Sequence, residues 1–246
     1  MLNKAEYWFS ANHLYINRSK TEKIVFTLRQ LGNIENPLSV KLLGVHMQPN
    51  LCWDTHIEHI AGKINKHVFL LRNLSTCVSQ EVLRVAYFGL IHSLLNYAVL
   101  AWGHSAVRVR AFQLQRKAVR VVAHLNYTEP CEEAFRTLKI LTFPSIFIYH
   151  CLLHARTNIE QIVRNNDVHQ YNTRNANLLR VPYVRLQKNQ NGINFWSHKF
   201  FNKLPDSIKN LPIPLFKSSI KDLLIQKVYF NTQSFLEDEE ILSVPG

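Results

Sequence analysis

Between Asp54 and Arg156, segment after segment repeats apolar residues at the 3.6-residue period of an α-helix, and this constrains the fold more than any other feature of the chain. Ile57, Ile60, Ala61, Ile64, Val68 and Leu71 form the first stripe, with Asp54 as a plausible N-cap. The opposite face carries Glu58, Lys63, Lys66 and Arg72. Ser79 is predicted to cap a second helix, whose run from Val85 to Trp102, "VAYFGLIHSLLNYAVLAW", has no formal charge and ends near Gly103. That run just reaches membrane-spanning length, but Gly89, His92, Ser93 and Asn96 punctuate it and amphipathic helices flank it. It is therefore read as a central buried helix rather than a membrane span. In "AVRVRAFQLQRKAVRVVAHL", Ala111, Leu114, Ala118, Val122 and Leu125 make one stripe, while Gln113, Arg116, Lys117, Arg120 and His124 make a cationic, solvent-facing one. A short helix follows Pro130, and another starts at Pro144 and Ser145 and runs to about Arg156. Helices of this kind in succession predict a helical bundle.

The flanks differ. The first fifty residues read as mixed structure: a helix end to about Asn12, a strand at Leu14 to Asn17, an apolar run at Ile24 to Leu28, and a strand in "VKLLGVHM". Asn165 to Asn177 is polar and Asn-rich and reads as a loop. Short β-like runs with aromatics come next, then a last amphipathic helix in "PLFKSSIKDLLIQKVYF" and a solvated tail containing "EDEE" at Glu237 to Glu240. The predicted class is α+β, predominantly α: a small β edge over residues 1–50, a helical region over 51–164, a mixed C-terminal region over 165–233 and an acidic tail over 234–246.

Lys and Arg number 29 against 17 Asp and Glu, a net charge of +12. Such a balance favours a polyanionic partner, most commonly nucleic acid, and its dispersal along the chain places the charge on folded surfaces. Candidate contacts are Lys63 and Lys66; Arg116, Lys117 and Arg120 on one helical face; and Arg174, Arg180, Arg185 and Lys188 lying among Tyr171, Tyr183, Phe195 and Trp196. Cations neutralise phosphates and exposed aromatics stack bases. Residue by residue, the competing reading is core aromatics and solvated charge.

Catalytic chemistry finds less support. Cys52, His56 and His59 lie within eight residues but complete no four-ligand set, and the histidines are read as solvated on the polar side of a helix, so no metal is assigned. The five aspartates, Asp54, Asp167, Asp206, Asp222 and Asp238, form no pair of the kind that holds two metal ions. No glycine-rich phosphate loop or small-molecule site is evident. Cys52, Cys77, Cys131 and Cys151 are widely spaced and read as buried free thiols of a reducing, intracellular compartment.

The order of motifs is more specific. "NHLYINRSKTEKIVF" followed by "KLLGVHMQPNLCWDTHIEHIAGKI" resembles the part of non-LTR (LINE, jockey-like) retrotransposon reverse transcriptases just after the polymerase active site. The matching positions are Asn17, Lys20, Thr21, Leu43, Gly44, Val45, Trp53 and His56. "ILTFPSIFIYH", and "NTR" through "FFNKLP" to "FKSSIKDLL", look like the same family's C-terminal region. The resemblance implies a palm edge followed by a helical thumb. It implies that Lys20 matches a lysine assisting nucleotide addition and that Leu43 to Val45 lies where a primer is held. The family's catalytic Ala-Asp-Asp strand would precede Met1, so the expectation is a truncated RNA-directed DNA polymerase that grips an RNA or RNA–DNA duplex without extending it. Mg²⁺ would belong to the full-length enzyme alone. A strand at Leu14 to Asn17 without its catalytic neighbour would leave an edge open to self-association. The alternatives are a helical protein-interaction module and a retroelement fragment without activity.

Overall fold

The computed structural model describes residues 2–27, 36–168, 175–183 and 192–243. The chain divides into two compact units, Met1–His56 and Ile57–Gly246. The protein is predominantly helical with a small two-stranded sheet.

In the first unit, α1 (Leu2–Ala11) is followed by extended chain and a 3-10 turn, Arg18–Lys20. The strand expected at Leu14 to Asn17 does not form: those residues have no ladder partner, and the Asn17 side chain accepts from the Ser19 N–H, turning the chain into the 3-10 helix. Leu14 and Tyr15 stand 50% and 97% exposed there. The Ile24 to Thr27 run is not assigned as a strand: the Asn36 side chain bonds both the N–H and the C=O of Val25, at 3.0 and 2.8 Å, and the Thr27 N–H donates to the Pro49 carbonyl at 3.0 Å. Leu28 lies outside the described residues. "VKLLGVHM" is a hairpin rather than one strand, with β1 (Val40–Leu42) antiparallel to β2 (Val45–Met47). Its two-residue turn puts Leu43 and Gly44 at φ 48 and 86, the paired left-handed conformation that suits the twist of a tight hairpin.

The second unit holds the core. α2 (Asp54–Leu74), which enters it from the first, buries the predicted stripe of Ile57, Ile60, Ala61, Ile64, Val68 and Leu71. The segment after Ser79 is not one helix. It comprises α3 (Gln80–Tyr87), a π turn (Phe88–His92), α4 (Ser93–Asn96), a break at Ala98 with φ 49, and α5 (Val99–Trp102). The His67 ring bonds the Leu90 carbonyl at 2.8 Å, satisfying an acceptor of the π turn. At the break, the Trp102 indole N–H donates to the Tyr97 carbonyl at 3.0 Å, and its ring stacks on Phe143 with centroids 5.0 Å apart. Gly103 follows because a Cβ there would meet the Val99 carbonyl at 2.7 Å and the Phe147 ring at 2.8 Å.

This segment is not the central helix. It buries one stripe, Tyr87, Ile91, Leu95, Val99 and Trp102, and leaves Val85 and Tyr97 exposed. No described helix is long and apolar enough to cross a membrane. The centre is α8 (Phe143–Thr157), nearly all of whose first half is buried, as an enclosed helix requires. α4, α5 and α6 (Arg108–Val122) pack against it, as do α9 (Ile193–Lys203), α11 (Ile213–Lys227) and α12 (Thr232–Glu237). Two short helices, α7 (Glu132–Thr137) and α10 (Asp206–Lys209), complete the unit. Thr142 caps α8 by accepting from the Ser145 N–H at 3.2 Å, and its hydroxyl also donates to the Tyr229 carbonyl.

The acidic tail is not solvated along its length. Phe235 and Ile241 are buried, Asp238 accepts from the Tyr229 hydroxyl at 2.6 Å and from Lys227 at 3.3 Å, and Glu240 also pairs with Lys227. Amphipathic spacing, hidden by the charges, anchors it. Of the cysteines, all unbridged, Cys131 and Cys151 are buried as expected, whereas Cys52 is half-buried and Cys77 exposed.

Candidate nucleic-acid interface

The polar face of α2 is basic beyond its first turns. Lys63, Lys66 and Arg72 are exposed on it, Phe69 is 66% exposed, and no acidic residue occurs between Glu58 and Leu74. Glu58 itself pairs with Arg110 at the start of α6. Gly62 sits mid-helix on the same surface, and a Cβ there would meet nothing within 4 Å. Among the described residues no close contact calls for glycine at that position, where it costs about 1 kcal/mol relative to alanine.

The cationic face of α6 is not the free surface expected. Arg116, Lys117 and Arg120 are all half-buried. The Arg116 guanidinium lies 5.9 Å from the Phe112 ring centroid and 5.6 Å from that of Phe230, and the Lys117 ammonium lies 6.0 Å from Tyr127. Arg120 Nε donates to the Glu129 carbonyl at 2.8 Å. These charges tie α6 to its surroundings because the loop after it and the turn at Phe230 fold back over its flank.

The remaining candidates scatter. Lys20 is exposed in the first unit. Arg180 and the 96%-exposed Tyr183 line a cleft of about 610 Å³ with His154, Asn194 and His198. Arg174, Arg185, Lys188 and Tyr171 lie outside the described residues. Phe195 and Trp196 are not free stacking platforms: both are half-buried, and Trp196 packs on Phe200 with ring centroids 5.3 Å apart. The structure thus brings Lys63 and Lys66 together on one exposed face and removes the α6 trio from solvent in part.

The Cys52, His56 and His59 grouping is corrected too. His56 is buried at 2% exposure, not solvated, because it falls on the stripe of Trp53 and Ile60; its Nδ1 accepts from the His46 N–H at 3.4 Å. Among the described residues no three His, Cys, Asp or Glu are grouped to hold a metal ion.

The sequence reading placed Arg72 on the basic face without assigning it to the site, and missed Gly62 and Phe69. The absence of acid from Lys63 to Leu74 was the available signal. It also missed Lys139 and Lys221, which share a pocket from distant segments. No family model, curated protein or solved structure matches the chain.

Proposed function

We propose that this chain is the duplex-gripping part of a reverse transcriptase of the non-LTR (LINE, jockey-like) family, its second unit serving as a thumb that holds RNA or RNA–DNA duplex by the phosphate backbone. The observation that carries this reading is the outer face of α2, with Lys63, Lys66 and Arg72 exposed, no acidic residue from Lys63 to Leu74, and Gly62 open to close approach. A charge of +12 supports it, as does the motif order from Asn17 to His56. Contacts of this kind position a duplex without reading its sequence. Polymer extension would need metal-holding carboxylates that the five scattered aspartates do not supply, so the proposed activity is binding alone.

The test is binding to RNA–DNA hybrid at graded salt. Replacing Lys63, Lys66 and Arg72 by Gln should flatten the log–log salt slope by about 2 to 3 units, at roughly 0.9 per lost phosphate contact. The loss should be the same for unrelated sequences. An unchanged slope would shift the balance to a helical protein-interaction module, a reading favoured by Val82 and Val85, which stand 53% and 68% exposed on α3.

A further inference from the structure

We propose that the pocket beside the π turn, where Lys139 and Lys221 meet His92, His150 and Asn96, is a binding site for a phosphate group. The pocket encloses about 200 Å³ and draws on three separate stretches of chain: the π turn and α4, the turn after α7 together with α8, and α11. Its lining contains no carboxylate. Among the described residues neither Lys139 nor Lys221 belongs to an ion pair, although Arg18, Arg110, Arg136, Lys209 and Lys227 all do. Asp222, next to Lys221, instead accepts from Ser218 at 3.5 Å.

The backbone at Lys139 points the same way. The Ile140 N–H bonds the Phe135 carbonyl at 2.9 Å and the Lys139 N–H bonds that of Arg136 at 3.1 Å, so α7 ends in a Schellman motif with Lys139 at its left-handed position, φ 52. Glycine is the usual residue there, and a lysine is held at a cost in stability. That cost is explained if the side chain is needed at the pocket.

The polar lining suits an anion with several oxygens. His150 Nε2 and Asn96 Oδ1 are 2.6 Å apart, which makes the imidazole the donor and leaves the Asn96 amide N–H groups as that side chain's other bonding capacity. His92 lies one turn before Asn96, and its Nδ1 is buried without a partner among the described residues. Burial first, then the nearby His150 and Lys221, drives the His92 imidazole down to about 4. Two lysines and the Asn96 amide lining one pocket from different elements match the terminal oxygens of a phosphate, whether free or at the end of a nucleic acid strand. This site stands apart from the face of α2 and does not depend on duplex binding there.

The test uses the full chain in chloride buffer, with inorganic phosphate as probe, followed by calorimetry and by histidine side-chain NMR. Phosphate should bind the wild type, raise its melting temperature and move the His92 and His150 resonances. K221Q should bind about tenfold more weakly, the loss of one charge-assisted contact. K139G is decisive because it should raise the melting temperature of the phosphate-free protein while abolishing most of the phosphate-induced rise. A misfolded variant could not show that combination. A duplex with a 5′-phosphate that displaces inorganic phosphate, where its unphosphorylated counterpart does not, would assign the site to strand ends; displacement by neither would assign it to free phosphate. Absence of binding to wild type, or equal binding to K139G, K221Q and wild type, overturns the proposal.

Discussion

The side-chain carbonyl of Gln115, buried on α6, accepts from the backbone N–H of Phe143 at 2.6 Å, so the start of the central helix is held by a residue from another helix. The amide of the same side chain donates to the Tyr87 hydroxyl at 2.9 Å and to the Leu141 carbonyl at 2.8 Å. Gln115 thereby joins α3, α6 and the entry to α8. Replacing it by alanine or leucine should cost about 3 kcal/mol or more, since a buried main-chain donor and acceptor each lose their partner at about 1–3 kcal/mol. Equilibrium denaturation measures this, and a loss within 0.5 kcal/mol would show that the network rearranges.

Gly62 and Gly103 should respond oppositely to alanine. At Gly62 the new methyl group meets nothing, so G62A should stabilise the protein by about 0.5–1 kcal/mol through helix propensity. Duplex binding should nevertheless weaken if a backbone approaches there. At Gly103 the methyl group would meet the Val99 carbonyl and the Phe147 ring, so G103A should cost about 1–3 kcal/mol.

Replacing Arg116, Lys117 and Arg120 together by Gln should destabilise the fold by about 1–3 kcal/mol, because the cation–π contacts and the bond to the Glu129 carbonyl are lost. The salt slope of duplex binding should change less than for the α2 triple variant. Thermal melts and filter binding on the same preparations separate the two effects.

Stability should decline below pH 6.5, before the carboxylates titrate. Burial, and after it Arg108, drives His104 down to about 4, matching His92, while burial also holds His150 and His154 below the ordinary histidine value of 6.5. The unfolded chain then takes up protons that the folded chain refuses, so this stability is fully present above pH 6.5 and is lost as pH falls toward 4. Urea denaturation across that interval should show the decline, and H104Q should reduce its slope.

Asp238 titrates later. Burial pushes its carboxyl up, but bonds from Tyr229, Lys227 and the Glu240 N–H together hold it below 3.8. Its contribution is therefore present above pH 3.8 and lost as pH falls through the lower folded value. D238N should cost about 1–2 kcal/mol at pH 7 and speed hydrogen exchange in α12, with non-additivity against Y229F reporting the pair.

Periodicity made the helices legible. The stripes of α2 and α6, the short α7, the start of α8 at Pro144 and α11 all stand where the apolar spacing put them. What periodicity could not rank was burial. The uncharged Val85 to Trp102 run looked more central than "FPSIFIYHCLLHA", yet glycine, serine, asparagine and tyrosine make a solvated face without formal charge. Lys63 and Lys66 on the basic face of α2 were legible too, since residues three apart in sequence are neighbours on the helix surface.

The sequence by itself determined where α2, α6, α7, α8 and α11 form and that the chain is strongly basic, because these depend on local spacing and composition; the stretch that forms α9 reads instead as β-like runs with aromatics. Only the tertiary structure decided that Arg116 and Arg120 lean on Phe230 and Glu129, that His56 is buried, that the acidic tail docks through Asp238, and that Lys139 and Lys221 share one pocket. Each of these joins residues through contacts across the fold, and a charge's fate depends on what folds over it. That surface is created when the helices pack, and no local spacing encodes it.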